Sequence, residues 1–172
     1  PRLETVYIAS GEATIPKPPY PAMMPDALTA SARAGAEGVP VLLTRWGTLP
    51  SSTRAALELL DPQSITIVGG ENSVAASVEW ELEEIAPVTR VSGSTRYETT
   101  ARLFADYPSG APVTYLASGE YFADALAVSA LAASEGAPVQ LSRRFGMTGV
   151  TRDALVALDP AAVRLVGGEI VL

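Results

Sequence analysis

Ile8 to Glu12 reads IASGE and Leu116 to Glu120 reads LASGE, two copies set 116 − 8 = 108 positions apart. Asp26-Ala27-Leu28 returns as Asp124-Ala125-Leu126, an offset of 124 − 26 = 98. That register holds to Val68-Gly69-Gly70-Glu71, which returns as Val166-Gly167-Gly168-Glu169. Of the nineteen positions from Asp26 to Thr44, eleven are identical to their partners between Asp124 and Ser142. A period this long marks a duplicated domain rather than a short solenoid repeat. The first copy carries 108 − 98 = 10 extra residues, which fall in a proline-rich loop from Ile15 to Pro25.

Around this stretch, apolar runs alternate with helical patterns. In the first copy, the strands are Val6 to Ala9, Val39 to Thr44, Ile65 to Val68 and Val88 to Val91. The helices between them run from Asp26 to Glu37, from Ser51 or Ser52 to Leu60, and from Ser73 to Ile85. Asp26 and one of the two serines are the expected N-caps, Gly38 a terminator, and Asp61-Pro62 a stop. A helix from Thr95 to Asp106 leads into the second copy. There the strands are Val113 to Ala117, Pro138 to Leu141 and Val163 to Val166, with helices Phe122 to Glu135 and Thr151 to Leu158. Strict alternation of this kind predicts an α/β fold: two tandem Rossmann-like units whose parallel strands are flanked by helices. The strands are continuous apolar runs, as sheets buried on both faces require. The Phe122 to Ala133 segment is nearly apolar all round, which predicts an enclosed helix. The unit boundary is expected between residues 89 and 90.

Composition narrows the function. Only 18% of residues are charged against 48% apolar, so the chain is expected to bury a core rather than stay disordered. Every apolar block is interrupted well short of the roughly 18 residues of a membrane span. The net charge of −7 argues against a nucleic-acid partner, which needs a basic face. There is no Cys and no His. Ser-His-Asp and Cys-His nucleophile systems, and His- or Cys-based zinc and haem sites, are excluded together. No cofactor and no metal site is expected, although a hard cation held by carboxylate and carbonyl oxygens stays open. Neither a GxGxxG nor a GxxxxGK[ST] fingerprint occurs.

Two groups of residues carry candidate chemistry. Arg90 to Ala101 reads RVSGSTRYETTA, a strand running through Ser-Gly into a helix start. Ser92, Ser94 and Thr95 are N-cap types, and the free N–H groups of a helix start attract anions. Arg96 adds a fork for phosphate or carboxylate, and Tyr97 a flat face for a sugar. Alternatively Arg96 pairs with a buried carboxylate, Asp124 first, and losing one partner would then cost about 3–5 kcal/mol. Both readings stand open on the sequence. The second group is the Ser-Gly-Glu turns, where Ser10, Glu12, Ser118 and Glu120 sit at the carboxyl edge of the sheet, the ligand-binding edge of open α/β folds. An exposed turn without a ligand is the alternative. Ser118 has no His partner and no Ser-x-x-Lys context, so acyl transfer is not expected. Asp26 and Asp124 pair through the duplication alone, and no catalytic role is assigned to them.

The run RVSGSTRYETTA, then LASGEYFADALAVSALAASEGAPVQLS, then VRLVGGE, resembles the cell wall-binding repeat type 2 family. Arg90 to Glu169 matches the family pattern throughout. Val6 to Gly93 matches from IASGE onward, with the family's FADAL reduced to MPDAL. The resemblance implies a non-catalytic module that holds a secreted protein on the cell surface, through anionic glycopolymers of the Gram-positive wall. It places Ser92, Gly93, Arg96, Tyr97 and Thr99 on the family's first motif, and Ser118, Gly119 and Asp124 on its second. Polymer contacts are expected at Arg90, Ser92, Arg96, Tyr97, Ser118, Glu120, Ser10 and Glu12. The alternatives are a subunit of a self-assembling surface layer or filament, and an accessory domain of a wall hydrolase. The family's units commonly pack in threes, and fewer than two complete units are present. A homo-oligomer, trimeric or filamentous, or further repeats of the same protein are therefore expected partners, with Ile170, Val171 and Leu172 in the contact.

Overall fold

The computed structural model describes residues 3–12 and 24–168. Most of the proline-rich loop and the contact expected at Ile170, Val171 and Leu172 lie outside the described residues. The chain runs β1 (Thr5–Ser10), α1 (Pro25–Glu37), β2 (Val41–Thr44), α2 (Ser51–Leu60), β3 (Ser64–Val68), α3 (Ala76–Glu83) and β4 (Val88–Val91). It continues with α4 (Arg96–Leu103), β5 (Thr114–Ser118), α5 (Phe122–Glu135), β6 (Val139–Ser142), α6 (Gly149–Leu158) and β7 (Val163–Val166). The strands form two parallel sheets, ordered β2-β1-β3-β4 and β6-β5-β7. The α/β architecture expected from the alternating pattern is present. The 89/90 division of the sequence repeat falls within β4, whose Arg90 and Val91 pair with Ile67 and Val68 of the first sheet.

Side chains of β1 alternate between two cores, as a strand covered on both faces must. Val6 and Ile8 join Leu57, Ile65, Ile67, Val78 and Leu82, under α2 and α3. Tyr7 and Ala9 join a second core that takes in Ala30 and Ala34 of α1 and also Tyr115, Val128 and Leu141 of the second repeat. The two repeats therefore share one hydrophobic core. Their helices α1 and α5 touch so closely that a Cβ on Gly35 would fall inside the van der Waals envelope of the Ala133 side chain. These are equivalent repeat positions, since 133 − 35 = 98.

A second duplicated contact ties each helix to its strand. The Tyr7 hydroxyl donates to Glu37 Oε2 at 2.9 Å, and the Tyr115 hydroxyl to Glu135 Oε2 at 2.7 Å. Burial first, then the Glu37 carboxylate, pushes the Tyr7 phenol up to about 12. Gly38 and Gly136 end α1 and α5 in the left-handed conformation. Asp61 and Asp159 end α2 and α6 likewise, each just before a proline.

Three local expectations are corrected. Asp26 does not cap α1: Pro25 takes the first helical position and the Asp26 carboxylate turns to Ser73. Neither Ser51 nor Ser52 caps α2, because the helix begins at Ser51 behind Pro50. And α5 is enclosed on one side only. Ala125, Val128 and Ala132 are buried, while Leu126 and Leu131 stay 53% and 45% exposed. The apolar edge strand β7 also exposes Leu165.

Candidate ligand-binding site

In the first sheet the chain leaves β1 for β2 on one side and returns to β3 on the other. Helices starting from β1 and β3 thus depart on opposite faces, and a crevice opens outside the carboxyl ends of the strands. A cleft of about 350 Å³ occupies that place, lined by Ser10, Glu12, Asp26, Trp46, Ser73 and Arg96 among others. It draws on five segments: the end of β1, the start of α1, the loops after β2 and β3, and the entry to α4.

Ser10 is buried, and its Oγ accepts the Glu12 N–H at 3.2 Å, fixing the turn. Glu12 projects outward, where its Oε2 accepts the Trp46 backbone N–H at 2.9 Å. Asp26 accepts the Ser73 hydroxyl at 2.9 Å. Burial raises the Asp26 pKa, against the lowering effect of the Ser73 bond and of the Arg96 charge. A carboxyl raised in the folded state contributes stability below its unfolded pKa and loses it as pH climbs through the folded one. Asp26→Asn keeps an acceptor for Ser73 and never ionises, so it is expected to lose less stability than the wild type over the range in which pH rises above the ordinary Asp pKa of about 4. A melting-temperature difference between the two proteins that stays constant across that range refutes this.

The entry to α4 is filled from within. Ser94 donates its N–H to Glu98 Oε2 at 2.8 Å, and the Glu98 N–H reaches Thr95 Oγ1 at 3.3 Å. The Gly93 N–H goes to Thr99 Oγ1 at 2.9 Å. This resembles a capping box shifted by one residue, with Glu98 taking the N–H of Ser94 before the Thr95 cap, and the Glu98 carboxylate occupies the helix start where an anion was expected. Glu98 is held below the usual carboxylate range, first by the Ser94 hydroxyl.

Several expected contact residues are engaged within the fold. Ser118 is fully buried, and its hydroxyl accepts the N–H groups of Glu120 and Tyr121, so it cannot reach a polymer. Tyr97 does not offer its ring to solvent: the residue is 8% exposed, packed on Gly119 with the Arg143 guanidinium 5.7 Å from its centroid. Arg90 donates twice to Glu79 Oε2, at 2.7 and 3.2 Å, and once to Gly69 O at 2.8 Å, locking β4 to α3. Ser92 is half-buried and gives its carbonyl to Arg102 at 2.7 Å. Arg96 lines the cleft, donates to Gly119 O at 2.6 Å and acts electrostatically on Asp26. Its pairing with Asp124 is carried forward as a proposal, to be tested by whether Arg96→Ala and Asp124→Ala lose stability non-additively. Glu120 sits apart from the cleft, in a separate hollow with Arg143 and Phe145. Sequence reasoning missed Trp46, Asn72 and Ser73, all on the cleft. Only the lone tryptophan in a short loop after an apolar strand signalled any of them.

The model of the family described as Cell wall binding domain 2 (CWB2) matches residues 2–79 and 90–172, nearly the whole chain. The chain belongs to this family. Among relatives of this CWB2 chain, the Amidase enhancer of Bacillus subtilis is 34% identical over 114 residues, which are 66% of this chain and 15% of that protein. The N-acetylmuramoyl-L-alanine amidase LytC of the same organism is 26% identical over 144 residues, 83% of this chain and 29% of that protein. Cwp6 from Clostridium difficile superposes with a TM-score of 0.84 over 98% of this chain at 22% identity, which shows a shared fold. The CWB2 chain spans 26% of Cwp6, and less than a third of either relative. Family and neighbours together point to association with the cell wall or cell surface. Among the described residues no carboxylate cluster is placed to hold a metal ion, and no helix is long and apolar enough to cross a membrane.

Proposed function

We propose that this CWB2 chain is a non-catalytic module that attaches a larger secreted protein to anionic glycopolymers of the Gram-positive wall. The observation that supports it is the cleft at the switch point of the first sheet, in a chain whose family is defined by cell wall binding. The proposed polymer contacts are Glu12 and Arg96 in that cleft, with Glu120 and Arg143 in the hollow of the second repeat. A net charge of −7 opposes an anionic polymer at long range. Screening beyond about 8–10 Å in physiological salt leaves local groups to decide. The purified chain is expected to sediment with isolated Gram-positive wall and to lose that binding once hydrofluoric acid has stripped the phosphodiester-linked polymers. Equal retention on stripped wall, or none on intact wall, overturns the reading.

One observation favours a second reading, in which this fold makes contacts with its own kind. In the first sheet β3 is covered by β4, whereas β7 has no strand on its outer side among the described residues. That bare edge, with Leu165, and the leucines of α5 suit a further repeat of the same protein or another copy of the chain. Light scattering on the isolated chain tests the second copy: a monomer at every concentration removes it.

A further inference from the structure

Trp46 is held in place more firmly than an exposed side chain needs to be. It is 56% exposed, yet its backbone N–H is bound by Glu12 Oε2, its carbonyl accepts the Ala75 N–H at 2.7 Å, and its indole N–H donates to Glu71 O at 2.9 Å. Main chain and ring are both anchored to the structure, with the ring at the rim of the cleft. An indole fixed in this way is a preorganised flat apolar surface, and binding to it costs little further ordering. The same cleft supplies acceptors and hydroxyls from Glu12, Asp26 and Ser73. Among the described residues its lining counts two carboxylates, Glu12 and Asp26, against the one guanidinium of Arg96, which already binds Gly119 O. That balance suits hydroxyl donors and disfavours a phosphate inside the cleft. A ring with one apolar face and a rim of hydroxyls meets both demands.

We propose that Trp46 is the stacking platform of a subsite for a neutral pyranose, with Glu12, Asp26 and Ser73 taking its hydroxyls. The proposal rests on the wall-binding reading for its natural ligand and sharpens it: the polymer is gripped by its sugar, and its anionic groups stay outside the cleft. The corresponding loop of the second repeat also carries an exposed aromatic, Phe145. There the Arg144 guanidinium lies over the ring, 4.9 Å from its centroid, so the subsite is assigned to the first repeat alone.

The chain has two tryptophans, and Trp80 lies on α3 away from the cleft lining. Trp80→Phe leaves Trp46 as the sole indole reporter. Its emission is expected to change saturably with neutral oligosaccharides of glucose, galactose or N-acetylglucosamine, and not with inorganic phosphate. Trp46→Ala is expected to weaken sedimentation with intact wall at least about tenfold, at an unchanged circular dichroism spectrum, while Trp46→Phe retains part of the binding. Emission that responds to phosphate and to none of the sugars overturns the subsite, as does a Trp46→Ala chain that binds wall as tightly as the wild type. A wild-type chain that misses intact wall while its Trp46 emission saturates with a sugar supports the subsite and sinks the wall reading alone.

Discussion

Gly35→Ala is expected to destabilise the protein by about 1–3 kcal/mol or more, the range for forcing added volume into a packed core. Helix propensity pushes the other way, because alanine in a helix interior is favoured over glycine by roughly 1 kcal/mol. Contact decides the sign. The new methyl group would meet Ala133, a short side chain on the body of the facing helix, with no flexible end to swing aside. The α1 and α5 axes must separate, and the core shared by the two repeats opens with them. Thermal unfolding by circular dichroism tests this, and adding Ala133→Gly to Gly35→Ala should recover part of the loss. A Gly35→Ala melting temperature at or above the wild-type value refutes the close approach.

Gly119→Ala is expected to be of similar size, about 1–3 kcal/mol, for a different reason. A Cβ there would stand 2.6 Å from Tyr97 Cε1 and 3.1 Å from Cζ, against a ring that is itself buried. Moving the ring disturbs Arg143 over its face, and Arg96, which binds the Gly119 carbonyl and lines the cleft. Wall binding should therefore weaken along with stability. The measurement is a double-mutant cycle with Tyr97→Ala: the penalty of Gly119→Ala should shrink sharply once the ring is gone. An equal loss in both backgrounds contradicts the packing account.

These two glycines also divide what a sequence can say from what it cannot. The duplication, the parallel α/β class and the order of elements were all legible, because strands buried on both faces demand continuous apolar runs and helices between them demand caps and breaks. The IASGE turn marked the carboxyl end of β1, where the cleft lies, because strand ends and glycines are local signals; of its LASGE counterpart, Ser118 is buried and Glu120 sits apart from that cleft. The family followed from the motifs and is the one the chain belongs to. Residue roles were not legible, since they depend on which distant group each side chain meets. Arg90 and Tyr97 looked like polymer contacts until Glu79 and Gly119 were found against them. Trp46, marked in the sequence only as a tryptophan in a short loop, became a rim residue only when the turn bearing Glu12 and the loop bearing Glu71 closed around it. Local periodicity determines the elements of this protein. Which side chains remain free to bind is decided by long-range packing, because a hydrogen bond or a ring contact made inside the fold withdraws that group from the surface.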